Sequence, residues 1–241
     1  MLTILQKELN AFFSSLMAYV IISFFLLLMG LWMWVFPETN VMDGGYADLQ
    51  TLFHLGPYLL MFLVPAITMH TLAEEKRVGT LEVLLTTPLS YTQLILGKYL
   101  ASLTIVGLIL LLTTPYYFSV YQLASPLGNI DTAAVMGAYL GLLLLAAVFV
   151  AVGLWTSSLT DRQLIAFLLG TLLCFLLYQG FDAWATLQTW KGYSLLLAQL
   201  GIKYHYEALS RGVIDSRDLL YFCSTISLLL LATGLVLNYE R

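Results

Sequence analysis

Charge is what this chain has least of. Its 241 residues include ten Lys plus Arg and fourteen Asp plus Glu, 10% in all. A soluble domain carries roughly 25% charged residues, so most of this chain cannot face water. The net charge is −4 and there is no basic tract, which excludes phosphate-neutralising contact with nucleic acid. Cysteine is also rare. Cys174 and Cys223 lie in apolar runs without metal-ligand spacing and read as small buried apolar residues. The three histidines, His54, His70 and His205, are scattered and read as lone interfacial side chains.

Catalytic motifs are missing too. There is no His-Glu-x-x-His and no Gly-x-Ser-x-Gly, and Gly97-Lys98 is followed by Tyr99 rather than by a P-loop hydroxyl. The expectation is a chain that is not an enzyme and binds no cofactor of its own. Nor is there a carboxylate at the middle of any long apolar run. Such a group costs about 2.5–3.5 kcal/mol in mid-membrane and is rarely present without a use. Asp182, beside Trp184, reads as a hydrated span end. A proton- or sodium-coupled carrier is disfavoured, and the energy for any transport is expected to come from outside the chain.

What the sequence does have is length of apolar chain. It is 60% hydrophobic, with a mean hydropathy of +0.88. A bilayer core needs roughly 20 apolar residues as helix, and its backbone groups must bond within the segment. The short alternating strands of a membrane barrel are missing. The reading is an all-α polytopic protein, one membrane domain over 1–241. Residues 1–16 form an N-terminal interfacial helix with Lys7 and Glu8 among apolar residues. Six spans follow, at about 17–36, 57–72, 97–123, 132–157, 164–184 and 219–237. Pro57 suits the first turn of the second span and Pro65 its middle, while Pro115 lies deep in the third. Ser90–Gln93 and Thr160–Gln163 read as capping boxes. The polar stretch from Leu187 to Asp218 has room for two short helices, ended by Gly201 and Gly212.

With six spans both termini share a side. Lys7, Lys76, Arg77, Lys98, Arg162 and Arg241 then fall together, and the short loops opposite hold no basic residue. The excess of Lys and Arg marks the cytoplasmic side, so both termini are placed there. Lys191, Lys203, Arg211 and Arg217 lie outside.

The densest charge cluster, Glu74-Glu75-Lys76-Arg77, opens the loop between the second and third spans. Beyond it Val78, Leu81, Leu84 and Leu85 share a helical face, and Pro88 stops the run. A short amphipathic cytoplasmic element of this kind lies on the membrane and presents its polar side to a soluble partner, or is a plain interfacial re-entry helix. Gly137 and Gly141 form a small-xxx-small face that lets helices approach, within the chain or across a dimer.

The stretch from Glu75 to Pro88, with Gly79-Thr80-Leu81-Glu82 inside it and Gly97-Lys98 after it, resembles the signature of ABC-2-type transporter permeases. Lys7-Glu8-Leu9 with Phe12-Phe13 is similar to that family's N-terminal interfacial helix. Tyr121 to Asn129 and Ser210 to Asp218 resemble the family's gliding-motility-associated members. The resemblance implies the permease subunit of an ATP-driven exporter in a bacterial inner membrane. It implies a cytoplasmic ATPase partner carrying the MgATP, and a second permease copy, or a related permease or substrate-binding subunit, beside this chain in the bilayer. Glu74, Glu75, Lys76, Arg77, Gly79, Thr80 and Glu82 would form the coupling surface for that ATPase. The alternative is a non-transporting membrane scaffold for a motility or secretion apparatus.

Overall fold

The computed structural model describes residues 1–37, 39–42, 48–80, 91–126, 128–186 and 198–239, and among them every regular element is helical. In chain order these are α1 (Leu2–Ser14), α2 (Leu16–Trp34), α3 (Gln50–Thr68), α4 (Ala73–Val78), α5 (Tyr91–Leu111), α6 (Thr114–Leu123), α7 (Thr132–Ser158) and α8 (Gln163–Phe175). A π-helical turn (Leu176–Gly180), α9 (Phe181–Thr186), α10 (Ile202–Ser210) and α11 (Ser216–Tyr239) follow among the described residues. Among the described residues six helical stretches, some interrupted by a turn, are long and apolar enough to cross a membrane: 16–34, 50–78, 91–123, 132–158, 163–185 and 216–239.

α7 is the central column. It is apolar all round, and from Leu145 to Leu154 every side chain is shielded from solvent, as expected of a helix enclosed by others. The stretches 50–78, 91–123 and 132–158 have 61–67% of their most apolar window buried, while the other three have 17–22%. The outer three therefore turn Phe24, Leu168, Leu228 and Leu231 outward, toward lipid. Close approach at the centre depends on glycine. A Cβ at Gly153 would sit 2.0 Å from Thr68 Oγ1, and one at Gly170 would sit 3.2 Å from Pro65 Cβ.

Several boundaries differ from the sequence expectation, each for a local reason. α3 begins at Gln50, so Pro57 lies inside it with Pro65 rather than in the first turn. The third span starts at Tyr91 and breaks at Leu112–Thr113, which puts Pro115 in the first turn of α6 instead of in a helix interior. Proline lacks the N–H that would bond Leu111 O, and the Thr114 hydroxyl donates to that carbonyl at 2.7 Å instead. Thr160 does not cap α8. Its Oγ1 accepts from Arg162 N, and Arg162 is the residue before the helix, without a side-chain cap. Cys223 is exposed on α11, not buried, whereas Cys174 is buried. Ser90 lies outside the described residues, as do Leu81 to Pro88 with Glu82.

Candidate functional site: a charged node at one end and a docked helix at the other

The Glu74–Arg77 cluster forms α4. Its acids occupy the first turn and its bases the last, the order that the helix dipole favours. Gly79 ends it in the left-handed conformation at φ +75°, where an L side chain would be strained, and its N–H bonds Lys76 O at 3.1 Å. The N-terminus of α4 has no side-chain cap of its own. Ser157, at the end of α7, supplies one: its Oγ accepts from Leu72 N at 3.1 Å and Ala73 N at 3.0 Å and donates to Met69 O at 3.3 Å. Lys76 Nζ donates to the Ser158 carbonyl, a cation on the C-terminal end of α7. Helix α4 is thus fastened to the central column at both its ends.

The four charges of α4 divide by direction. Glu74 and Arg77 pair with each other at 2.6 Å at the surface, and Arg77, Val78, Gly79 and Thr80 are exposed. Glu75 turns inward. Its Oε1 lies 2.9 Å from Lys98 Nζ and 3.2 Å from Lys7 Nζ. Lys98, seven residues into α5, is 1% exposed and is surrounded by Glu75, by Glu8 Oε1 at 2.7 Å and by Thr71 O at 2.7 Å. The ammonium donates to Glu8 Oε1 and Thr71 O and has a second carboxylate, Glu75, at ion-pair distance, which is what a cation shielded from water requires. The node is neutral, with two lysines against two glutamates. Glu75 Oε2 is buried without a hydrogen-bond partner among the described residues. Gly97 makes room: a Cβ there would lie 3.1 Å from Ile4 Cγ2 of α1. In the Gly97-Lys98 pair, glycine admits α1 and lysine binds it.

Sequence reasoning placed Glu75 on an outward surface and left Glu8 and Lys98 unassigned as site residues. The signal was there: a lysine well inside an apolar helix needs an anionic partner. Which acid would reach it was not legible, because Glu75 and Glu8 come from other helices.

At the opposite end α10 packs against α7, α11 and the π-helical turn. Gly137 and Gly141 form its seat within the chain: Cβ atoms there would lie 2.9 Å from Gly212 Cα and 2.7 Å from Leu209 Cβ. Gly212 itself sits at φ +80°, as the turn after α10 requires. Tyr206, buried, donates its hydroxyl to Phe53 O at 2.6 Å, and burial holds that phenol well above its ordinary pKa. Lys203 is 2.6 Å from Asp182 Oδ2. Burial alone would lower the Lys203 pKa, but the Asp182 and Glu207 carboxylates outweigh it and raise it. His205 is not a lone side chain. Its Nδ1 lies 2.6 Å from Asp218, its Nε2 2.9 Å from Gln199 O, and its ring stacks on Tyr221 at 4.0 Å. A cavity of about 770 Å³ opens beside α10, lined by Asp48, Tyr58, Tyr178, Lys203, Glu207 and Arg211 among others. Among the described residues no group of His, Cys, Asp and Glu is arranged to hold a metal.

Six crossings, an enclosed central helix, and polar structure confined to the two ends define a multi-pass membrane component. Residues 37–181, more than half of the chain, match the ABC-2 family transporter protein family, and the chain belongs to that family. It is accordingly a transmembrane component of an ABC transporter. Members of this family normally pair with a cytoplasmic ATPase. A comparison with curated proteins gives no match. The matched region contains Glu75 and Lys98, while Lys7 and Glu8 lie before it.

Proposed function

We propose that the chain is the permease subunit of an ATP-driven exporter of the bacterial inner membrane, with both termini cytoplasmic and α4 facing a separate ATPase that binds MgATP. The observation that carries this reading is the division of α4: one edge exposed at Arg77, Gly79 and Thr80 with half-buried Glu74 beside it, the other fastened to α1, α5 and α7. A surface that met no partner would not need such anchorage. An element pushed by an ATPase does, because displacement of a loose loop moves nothing else. The gathering of Lys7, Lys76, Arg77, Lys98 and Arg162 at this end supports the cytoplasmic assignment.

The docking surface is therefore narrower than the charge cluster. Glu74, Arg77, Gly79 and Thr80 contact the ATPase, and Glu82, which follows them in sequence, belongs to the same coupling surface. Glu75 and Lys76 act inward and hold α4 in place. A second permease, identical or related, completes the membrane core. The gliding-motility association rests on the likeness of Tyr121–Asn129 and Ser210–Asp218 to permeases of that type.

The test is reconstitution with the P-loop ATPase that co-purifies with the chain. Deletion of Gly79-Thr80, or Arg77→Glu, is expected to abolish stimulation of ATP hydrolysis while membrane insertion persists. Undiminished ATPase binding and stimulation in both variants would remove the assignment. Accessibility labelling that mapped Arg77 to the outer face would remove the orientation as well.

A further inference from the structure

The N-terminal helix is held to the rest of the protein in an unusual way. Adjacent residues Lys7 and Glu8 grip opposite partners: Lys7 reaches Glu75 on α4 at 3.2 Å, and Glu8 reaches Lys98 on α5 at 2.7 Å. Lys98 and Glu75 are themselves paired at 2.9 Å. The four charges form a closed ring across three helices. No one of α1, α4 and α5 can shift against the other two without separating an ion pair that is largely shielded from water, where a lost partner leaves a charge uncompensated.

The chain leaves α1 through a break at Ser15, which is extended at φ −88° and ψ 133°. Ser15 Oγ accepts from Met17 N at 3.2 Å, so α2 starts directly on the break. A rigid helix joined to the first span through one extended residue has the geometry of a lever on a hinge. The ring fixes the lever near its middle, at Lys7 and Glu8.

We infer that Glu8, Lys98 and Lys7 are positioning residues for energy coupling: through them α1 follows any displacement of α4 and passes it to the first span, while Lys98 passes it to the third. This rests on the coupling role of α4 proposed above and names the residues that distribute the motion. Glu75 is the junction, since its Oε1 serves both lysines. Lys98 is the residue without a substitute, because it alone touches both acids and the turn between α3 and α4 at Thr71 O.

The experiment uses the full chain in lipid nanodiscs, alone and assembled with its ATPase. The variants are Glu8→Gln, Lys98→Met and the double variant, with amide exchange of residues 2–14 as one readout and stimulated ATP hydrolysis at saturating ATPase as the other. Glu8→Gln keeps Lys98 paired with Glu75, so it stays informative if Lys98→Met fails to fold. Exchange in α1 is expected to quicken about tenfold in each single variant, through easier local opening. The double variant should be no worse than Lys98→Met, because both remove one shared interaction. Stimulated hydrolysis should fall severalfold with ATPase binding retained, a result that a purely structural role would not give.

Unchanged α1 exchange in Glu8→Gln would overturn the ring as a fastening. Quickened exchange with full stimulation would overturn the transmission role and leave the coupling role of α4 standing. Failure of the coupling reading itself has a different signature, because there the wild-type chain would not stimulate the ATPase at all.

Discussion

Tyr206 donates its hydroxyl to the carbonyl of Phe53, 2.6 Å away and 153 positions earlier in the chain. The identity of that acceptor is not arbitrary. Phe53 O is the carbonyl that would accept from residue 57 in an unbroken helix, and residue 57 is proline, which has no N–H to give. A proline inside α3 opens one acceptor, and α10 docks on it. Tyr206→Phe is expected to cost about 1 kcal/mol, since it strands a buried carbonyl. In a Pro57→Ala background the helix can close its own bond, and the same substitution should then cost much less. A double-mutant cycle by thermal unfolding in detergent checks this, and additive costs would refute the relationship.

Lys98 and Arg77 carry the same charge and differ in surroundings. Lys98→Ala leaves Glu8 without its cation and Glu75 with only the exposed Lys7, and is expected to destabilise by about 3–5 kcal/mol. Arg77→Ala removes one arm of an exposed pair and should cost about 0.5 kcal/mol or less. Denaturation in mild detergent distinguishes the two. Equal effects would mean that the node is not what stabilises this end.

Ser157 caps a helix to which it does not belong. Ser157→Ala withdraws the acceptor from two amide groups, Leu72 N and Ala73 N. A loss of about 1–3 kcal/mol is expected, concentrated at the start of α4. Exchange of the amides of residues 72–76 should quicken while the rest of the second crossing stays protected. Uniform quickening along that crossing would point to global rather than local weakening.

Gly141 tests the seat of α10. A Cβ at this position meets Leu209 Cβ at 2.7 Å, so Gly141→Val forces α10 off α7. Overpacking of this kind costs about 1–3 kcal/mol. The six crossings should remain inserted while the chain becomes susceptible to protease around 201–212. Unchanged protease resistance would place the small-residue face elsewhere, for example against a second copy.

Lys203 makes the docking of α10 sensitive to alkali. Its pKa is raised in the folded protein, so the contribution it makes is fully present below its ordinary value of about 10.4 and is lost as pH rises through the raised one. Docking should therefore be constant through neutral pH and loosen only in strongly alkaline solution. Lys203→Gln should show no such alkaline step in Tyr206 environment, read by absorbance or exchange. A step at neutral pH would contradict the assignment.

Much of the architecture was legible because hydropathy is additive along a helix. The number of crossings and their approximate limits follow from apolar length, and the grouping of charges by end follows from the parity of the spans. Helix limits were less so where a side chain replaces a missing backbone bond. Thr114 in the third crossing and Tyr206 against Phe53 allow prolines where propensity alone puts a first turn or a deep kink. The small-residue face of Gly137 and Gly141 was visible as a pattern, and only packing shows that α10 fills it.

The linear order of residues determined that this protein lives in a membrane, that its polar chemistry sits at two ends, and that α4 is charged. Only the tertiary structure decided which of those charges are available. Glu74 and Glu75 are neighbours with the same functional group, yet one meets its own helix at the surface and the other closes a ring with Lys98 and Lys7. The physical reason is that burying a carboxylate requires a cation within about 3–4 Å. Its nearest cation in space stands 23 positions away along the chain, on a helix whose approach depends on every packing contact between them.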